Sequence, residues 1–216
     1  MSRHDPHGLD AARPAWRPRR RGVLGVLGVL ALAALAALGG TQALAAPPWD
    51  LAALMRLMAA RKSGEARFRE TKTVAMLDAP VTSSGILRFA APDMLEMHTL
   101  EPSPQRLVVR GRQVSVELDG RSRQFDLDQA PAVGALVEGI RATLVGDLAG
   151  LQRAYHARLQ GERARWTLVL VPRLPAARAR VSEIDVSGSE ASVREIAVFQ
   201  ADGDRSWMRI HELSRP

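Results

Sequence analysis

The chain has 216 residues, a formal net charge of +7, an apolar fraction of 46% and no cysteine. A chain of this length can bury one sizeable core, and the absence of cysteine excludes disulfides, thiol nucleophiles and thiolate metal ligands. Six arginines and two aspartates fall within residues 1–45, which leaves a charge of only +3 for the rest of the chain. The basic character therefore does not indicate a nucleic-acid-binding protein.

The first 45 residues have the pattern of an export signal. A basic segment ending at Arg21 precedes an uncharged apolar run over 22–38, and Ala43–Ala45 has the small residues that a signal peptidase accepts. We expect this segment to be removed, leaving a single domain over 46–216 in the periplasm. A retained membrane anchor is the alternative, because the apolar run is only just long enough to span a bilayer. Arg20–Arg21 leaves both the general and the twin-arginine export routes open.

A helix is predicted to follow Asp50, a residue type that caps helix N-termini, and to run to about Arg61. Its apolar residues recur at i, i+3, i+4 and i+7 and form one stripe to be buried: Leu51, Leu54, Met55 and Met58. Ser63–Gly64 is predicted to end this helix.

Alternating apolar and polar residues then predict a series of short strands. The first covers 66–77 and the second begins at Gly85, and a break at Pro92 precedes the third. Their apolar faces hold Ala66, Phe68, Val74 and Met76, then Leu87, Phe89 and Ala91, then Leu95 and Met97. Three more short strands reach Leu127, separated by hairpin turns at Gly111–Arg112 and Asp119–Gly120.

A second helix is predicted from Pro131, with an apolar face made of Val133, Leu136, Val137, Ile140 and Leu144. Gly146–Asp147 interrupts it, and a short helix through Leu148 and Leu151 follows. Five strands complete the chain, at 154–159, 166–171, 181–186, 193–199 and 205–211, and 172–179 is predicted to be a loop.

Ten or eleven strands with two or three helices predict an α+β fold. The alternation favours one large antiparallel sheet with one wet face, and a sheet of this width must curl. We therefore expect a strongly curved sheet whose apolar concave face is covered by the N-terminal helix and by the central helix.

The sequence offers little for catalysis. His98, His156 and His211 fall in three separate predicted strands without the spacing of metal ligands. Ser83–Gly85 lacks the pattern of a nucleophile elbow, and Asp202–Asp204 is typical of a hairpin turn rather than of a calcium loop. We expect no enzymatic activity, no catalytic residue, no metal and no cofactor.

Two polar residues stand out, because Glu70 and Lys72 interrupt an otherwise apolar strand face. They indicate either an edge strand open to solvent or a polar contact placed inside a pocket.

The apolar composition favours an apolar ligand over nucleic acid. The chain has four Trp, four Phe and one Tyr, too few for a surface that stacks bases, and it has no glycine-rich phosphate loop. A concave face of aliphatic and Met side chains suits acyl chains, although a closed core has the same composition.

Between about Asp50 and Met208, several short segments resemble those of one protein family in their order and spacing. They are Phe68–Glu70, Ser84–Leu87, Pro92–Glu96, the turn at Gly111, the helix from Ala135, and "GERARWTLVLVP" from Gly161. On these segments the chain is similar to the periplasmic carriers of outer-membrane lipoproteins, the LolA-like proteins, and to a divergent branch of them.

This resemblance implies an unclosed antiparallel barrel that holds acyl chains of a lipoprotein, or of another lipidated molecule, in transit toward the outer membrane. The implied partners are the acylated cargo, an inner-membrane release complex and an outer-membrane receptor, with no nucleic acid and a monomeric carrier. The cavity-lining residues expected on this basis are Phe68, Met76, Leu87, Phe89, Ala91, Leu95 and Met97, and the expected lid residues are Val137, Ile140 and Leu144.

Three positions depart from the family pattern. Classical carriers have an arginine immediately before the proline that corresponds to Pro92, whereas this chain has Ala91, and Arg88 and Met97 stand where those carriers have tryptophans. The cargo therefore stays open. A non-enzymatic envelope sensor that binds a protein partner with the same fold is the alternative, and an enzyme acting on acyl substrates is a third, less favoured one.

Overall fold

The structure, a computed structural model, describes residues 48–213, without the side chain of residue 132. The predicted signal peptide, 1–45, lies outside the described residues. The described residues belong to one compact unit.

The described chain contains four α-helices, one 3-10 helix and eleven strands. The helices are α1 (Leu51–Ala59), α2 (Pro131–Val145), α3 (Leu148–Ala154) and α4 (Pro175–Arg178), with the 3-10 helix at Leu127–Gln129. The first six strands are β1 (Ser63–Thr73), β2 (Val81–Ala90), β3 (Met94–Glu101), β4 (Gln105–Arg110), β5 (Gln113–Leu118) and β6 (Arg121–Asp126). The last five are β7 (Tyr155–Glu162), β8 (Arg165–Pro172), β9 (Val181–Ser189), β10 (Ser192–Gln200) and β11 (Arg205–Glu212).

All eleven strands form one antiparallel sheet in the order β6-β5-β4-β3-β2-β1-β11-β10-β9-β8-β7. The sheet does not close, because β6 and β7 are its two edges. This confirms the predicted α+β fold with an unclosed antiparallel barrel. The edge-strand interpretation of Glu70 and Lys72 is wrong, because β1 pairs with β2 on one side and with β11 on the other.

The first helix begins where the sequence predicts. Asp50 Oδ1 accepts a hydrogen bond from the Ala53 amide at 2.7 Å, which satisfies one of the free amides of the first turn. The predicted stripe is buried against the sheet through Leu54, Met55 and Met58. Ser63–Gly64, predicted only to stop the helix, already belongs to β1.

The central helix α2 also has the predicted bounds. Pro131 occupies its first position, and it ends at Gly146, whose φ of 71° is left-handed. A side chain at Gly146 would place its Cβ 2.2 Å from the Met55 carbonyl oxygen, so glycine allows α2 to end against α1. Asp147 then caps α3 by accepting from the Gly150 amide at 2.8 Å.

Two hydrophobic clusters hold the helices on the sheet. The larger one joins α1 and α3 to the strands through residues such as Leu54, Leu151 and Ile184, each fully buried. The smaller one joins the 3-10 helix and α2 to β4 and β5 through Leu127, Val137, Val109 and Val114. The predicted loop at 172–179 contains the short helix α4, which the Pro- and Ala-rich composition concealed.

Candidate functional site

The concave face of the sheet is built from rows of apolar residues that face each other across strands. Directly paired residues share a face, so Ala66, Leu87, Met97 and Leu107 form one row across β1 to β4. A second row runs through Gly64, Phe89, Leu95 and Val109. These two rows form the wall that faces the helices.

An apolar cavity of about 240 Å³ lies between this wall and helix α2. On the sheet side its lining includes Ala66, Leu87, Phe89, Leu95, Met97, Leu107, Val109, Val186, Val193, Ile196, Met208 and Ile210. The helix contributes Val133, Leu136, Val137, Ile140, Thr143 and Leu144. The cavity is therefore shared between the sheet and a helix that covers it.

Tyr155 and Arg141 hold α2 in place. The Tyr155 hydroxyl donates to the carbonyl oxygen of Ala135, and burial raises the pKa of this phenol well above its ordinary value, so it stays protonated. Arg141 pairs with Glu138 and donates to the Gly111 carbonyl at 2.6 Å, which ties the helix to the β4–β5 turn.

A charged pair stands at one end of the cavity. Arg61 Nη1 lies 2.5 Å from Glu212 Oε1 and donates to the Ala191 carbonyl at 2.8 Å. The Arg61 guanidinium also lies 5.7 Å from the centroid of the Phe89 ring, within the range of a cation–π contact. Arg61 thus joins the end of α1 to β2, β11 and the β9–β10 turn.

Most of the predicted site residues lie around this cavity. Leu87, Phe89, Leu95 and Met97 line it from the sheet, and Val137, Ile140 and Leu144 line it from the helix. Their role in ligand binding stays a prediction.

Three predicted positions lie elsewhere. Met76 is wrong as a cavity residue, because β1 ends at Thr73 and Met76 sits in the following turn with 93% of its surface exposed. Ala91 is in the turn between β2 and β3, where its amide donates to the Lys62 carbonyl, and it does not belong to the lining set. Phe68 is buried on the concave face beside Ile210 but is not a lining residue either.

Other lining residues were not predicted as site residues. Leu107 and Val109 fall in the short strands predicted between Met97 and Leu127, and Ile196 and Met208 come from β10 and β11, the last two strands of the chain. Their alternation was visible, but it does not reveal which strand stands opposite which. Arg61 and Glu212 carried no sequence signal, because their pairing depends on where β11 ends.

The opposite, convex face of the sheet is polar. Arg88 bonds Glu65 and Glu96, and Arg106 Nε donates to Glu96 Oε1 at 3.0 Å, which makes a ladder of alternating charges over β1 to β4. The hydrogen bond from Arg106, followed by the charge of Arg106 and Arg88, holds the pKa of the Glu96 carboxyl below its ordinary value despite its burial. The ladder is a structural feature of the wall.

Asp185 on the convex face of β9 differs from this ladder. Its Oδ1 is buried without a hydrogen-bond partner. Burial, with the nearby charge of Glu183, raises the pKa of this carboxyl.

The candidate catalytic groups lie away from the cavity. His98, His156 and His211 pair across strands with residues of the convex face, so the sheet separates them from the lining. Asp202–Asp204 belongs to the turn between β10 and β11, as predicted. Glu70 accepts from the Ser83 hydroxyl at 3.3 Å beyond the lining rows. Within 48–213, no three His, Asp or Glu side chains are grouped to hold a metal.

The chemistry of the site is therefore that of an apolar container. Most lining residues are aliphatic or Met; the charged ones are Arg61 and Glu212, together with Glu65, Arg88 and Glu96 of the ladder on the opposite face. Such a lining offers favourable burial to a hydrocarbon chain.

The sequence profile of a family described as "Outer membrane lipoprotein carrier protein LolA-like" matches residues 43–209. The chain belongs to this LolA-like family. No curated protein matches it in sequence. Across the part of this LolA-like protein that the structure describes, no helix combines the length and apolarity needed to cross a membrane.

Three solved structures are similar to this LolA-like chain at low sequence identity. A LolA superfamily protein from Nitrosomonas europaea is 10% identical with a TM-score of 0.40, and the match covers 78% of this chain and 96% of that one. An outer-membrane lipoprotein-sorting protein domain from Vibrio parahaemolyticus is 8% identical with a TM-score of 0.43, and the match covers 77% of this chain and 92% of that one. The MucA/MucB complex of Pseudomonas aeruginosa is 14% identical with a TM-score of 0.39, and the match covers 77% of this chain and 58% of that one.

Proposed function

We propose that this protein is a non-enzymatic carrier that holds an acyl chain of a lipoprotein, or of another lipidated molecule, in the cavity under α2. The observation that carries the proposal is the apolar void of about 240 Å³ between the concave wall and the helix. Family membership supports it, since the family is described as lipoprotein carriers. The proposed setting is the periplasm, reached through the predicted signal peptide, with an inner-membrane donor and an outer-membrane acceptor as partners.

The size of the void supports an acyl ligand. An apolar cavity of about 150 Å³ stays dry and accepts benzene, so the present cavity is larger than one that is known to hold a small hydrocarbon. Burying about eight methylenes of an acyl chain at ~0.8 kcal/mol each would contribute about 6 kcal/mol.

The same estimate of binding free energy applies to release of the ligand. A carrier must give up its ligand, and a gain of about 6 kcal/mol corresponds to a dissociation constant in the range of tens of micromolar. A whole lipoprotein anchor is larger than the void, so loading requires α2 to move away from the sheet. The contacts that such movement would break are those of Tyr155 and Arg141 with the helix and its neighbours.

The test is the identification of bound lipid. Protein purified from the envelope fraction should release acylated molecules that mass spectrometry of the extract identifies, and the emptied protein should take up a fluorescent fatty-acyl probe. Leu87→Glu places a carboxylate in the cavity wall and should weaken probe uptake at least tenfold.

The adjacent residue provides a matched control. Ile86 lies on the same strand but faces the convex side opposite Arg67, so Ile86→Glu should leave uptake unchanged. A protein that is empty as purified and takes up no probe would refute the carrier. Recovery of one stable protein partner with an empty cavity would favour the sensor alternative instead.

A further inference from the structure

We propose that the convex crest of the sheet is a docking surface for an anionic phospholipid bilayer. We call it the arginine crest and define it by Arg67, Arg69, Arg205, Arg209 and His211. This surface lies on the opposite side of the sheet from the cavity, and the inference does not depend on which cargo the cavity holds.

The crest residues belong to two paired strands. Arg67 stands opposite His211 and Arg69 opposite Arg209 in the β1–β11 pairing, and Arg205 follows on the same face of β11. All five side chains are exposed. Paired side chains start about 5 Å apart and the next pair lies about 7 Å along the strand, so the crest groups four arginines in a small area, with Glu65 and Glu195 beside them on the same face.

Within 48–213, some of the other surface arginines form ion pairs and some, such as Arg121, Arg153 and Arg165, do not. Arg88, Arg106, Arg112 and Arg163 each contact a carboxylate. Across 48–213, by contrast, the side chains of Arg67, Arg69 and Arg209 have neither an ion pair nor a hydrogen bond. Glu195 stands opposite Arg209 on β10 but forms no ion pair with it.

The direct Arg69–Arg209 pairing is unfavourable for the fold. Like charges that face each other across two strands destabilise a sheet, whereas an acidic residue at either position would stabilise it. An anionic partner would remove this cost by neutralising both charges. The pairing therefore points to a ligand rather than to stability.

Two aromatic side chains extend the crest. Trp207 lies between Arg205 and Arg209 on the same face, with the Arg205 guanidinium 5.6 Å from its ring centroid. Phe199 packs edge-on against Trp207 at 5.9 Å. Tryptophan beside arginine is the combination that membrane–water interfaces favour, because the ring enters the headgroup level while the cation meets phosphate.

The position of the crest in the fold favours a bilayer over an acidic polypeptide. β1 and β11 are the sixth and seventh strands of the eleven in the sheet order, so they occupy its middle. A convex surface meets a plane at its middle, and a bilayer presents negative charge over the whole plane. In this orientation α2 faces away from the bilayer, which leaves the helix free to move.

The experiment measures sedimentation of the 47–216 segment with vesicles. This segment contains both core clusters and all eleven strands, and it excludes the basic N-terminal region, which would bind membranes by itself. We expect binding to vesicles of phosphatidylglycerol and phosphatidylcholine in equal parts, and none to phosphatidylcholine alone. About 0.5 M salt should release the protein, because it screens the charges. Each crest arginine should strengthen binding by about fivefold.

Three variants separate docking from folding. The triple variant R67E/R69E/R209E should lose more than 100-fold in vesicle binding. The control R121E/R153E/R165E changes the charge equally at exposed arginines outside the crest and should lose less than tenfold. The single variant R69E should bind several-fold more weakly and yet melt about 1–3 °C higher, since it turns a like-charge pair into an attractive one.

Several results would overturn the proposal. They are no binding of the wild type to anionic vesicles at low salt, equal losses in the two triple variants, and salt-resistant binding. Binding to polyglutamate with vesicles left unbound would assign the crest to an acidic polypeptide instead.

Discussion

Ala66 offers a test in which stability and ligand binding should change in opposite directions. Its side chain is buried on the concave face between Leu87 and Glu212 and borders the void under α2. Ala66→Leu adds three carbon atoms, which we expect to extend into the void. At ~0.8 kcal/mol per buried methylene, the substitution should stabilise the fold by about 2 kcal/mol. That corresponds to a rise in Tm of about 4–8 °C for a domain of this size.

The same atoms take up space that the ligand would use. An acyl probe that loses about 2 kcal/mol of burial should bind about 30-fold more weakly. The two quantities are measured on one preparation, by thermal melting of the emptied protein and by titration with a fluorescent fatty-acyl probe.

Ala197 provides the control for this substitution. It is more buried than Ala66 and lies on β10, but on the convex face between Trp207 and Asp185, away from the void. Ala197→Leu should cost about 1–3 kcal/mol through overpacking and leave probe binding unchanged. If Ala66→Leu is destabilised like Ala197→Leu, or binds the probe like the wild type, the void is not available to a ligand at Ala66.

Two further predictions concern pH. Glu96→Gln should lower Tm at pH 7 by roughly 2–4 °C, because Glu96 accepts hydrogen bonds from Arg88 and Arg106. The pKa of Glu96 is lowered in the folded protein, so the unfolded chain binds more protons; the stabilisation is present above the ordinary pKa of 4.5 and is lost as the pH falls through the folded value. Asp185→Asn should raise Tm at pH 7 by about 1–3 °C. Burial raises the pKa of Asp185 in the folded protein, so folding favours the protonated carboxyl. This contribution to stability is fully present below the ordinary pKa of 3.8 and is lost as the pH rises through the pKa of the folded protein.

Thermal melting of each variant and of the wild type from about pH 3 to pH 7 tests the direction of both changes in Tm. The difference between wild type and Glu96→Gln should shrink toward pH 3, and so should the difference for Asp185→Asn. Asp78→Asn, in the exposed turn after β1, is the control for removing a carboxylate and should not change Tm. A constant difference across the pH range would contradict the assignment of either effect to the carboxyl group.

Local features of the sequence were sufficient to predict many of the elements. Asp50 and the apolar stripe predicted α1, and Pro131 and Gly146 marked the two ends of α2. The turns at Gly111 and Gly120 also lie where they were predicted. Capping residues, turn residues and the period of apolar residues act within a few positions of the chain, so they can be recognised without knowledge of the rest of the fold.

The curvature of the sheet and its helical cover also followed from the sequence, since a wide antiparallel sheet with one apolar face must bury that face. Leu87, Phe89, Leu95 and Met97 were predicted on this wall because a period of two assigns alternate residues to one side. The prediction for Met76 was wrong because the alternation of period two continues in the sequence past the end of β1. Met76 lies in the following turn, where alternation does not assign residues to a face of the sheet.

The tertiary structure alone decided which strands are neighbours. The pairing of β1 with β11 joins residues about 140 positions apart, and it has three consequences that no local pattern carries. It makes β1 a central strand, it brings Met208 and Ile210 to the cavity wall beside Ala66, and it sets Arg69 against Arg209 on the convex face. Strand pairing depends on backbone hydrogen bonds that are the same for every sequence, so its partners emerge only when the whole chain is packed.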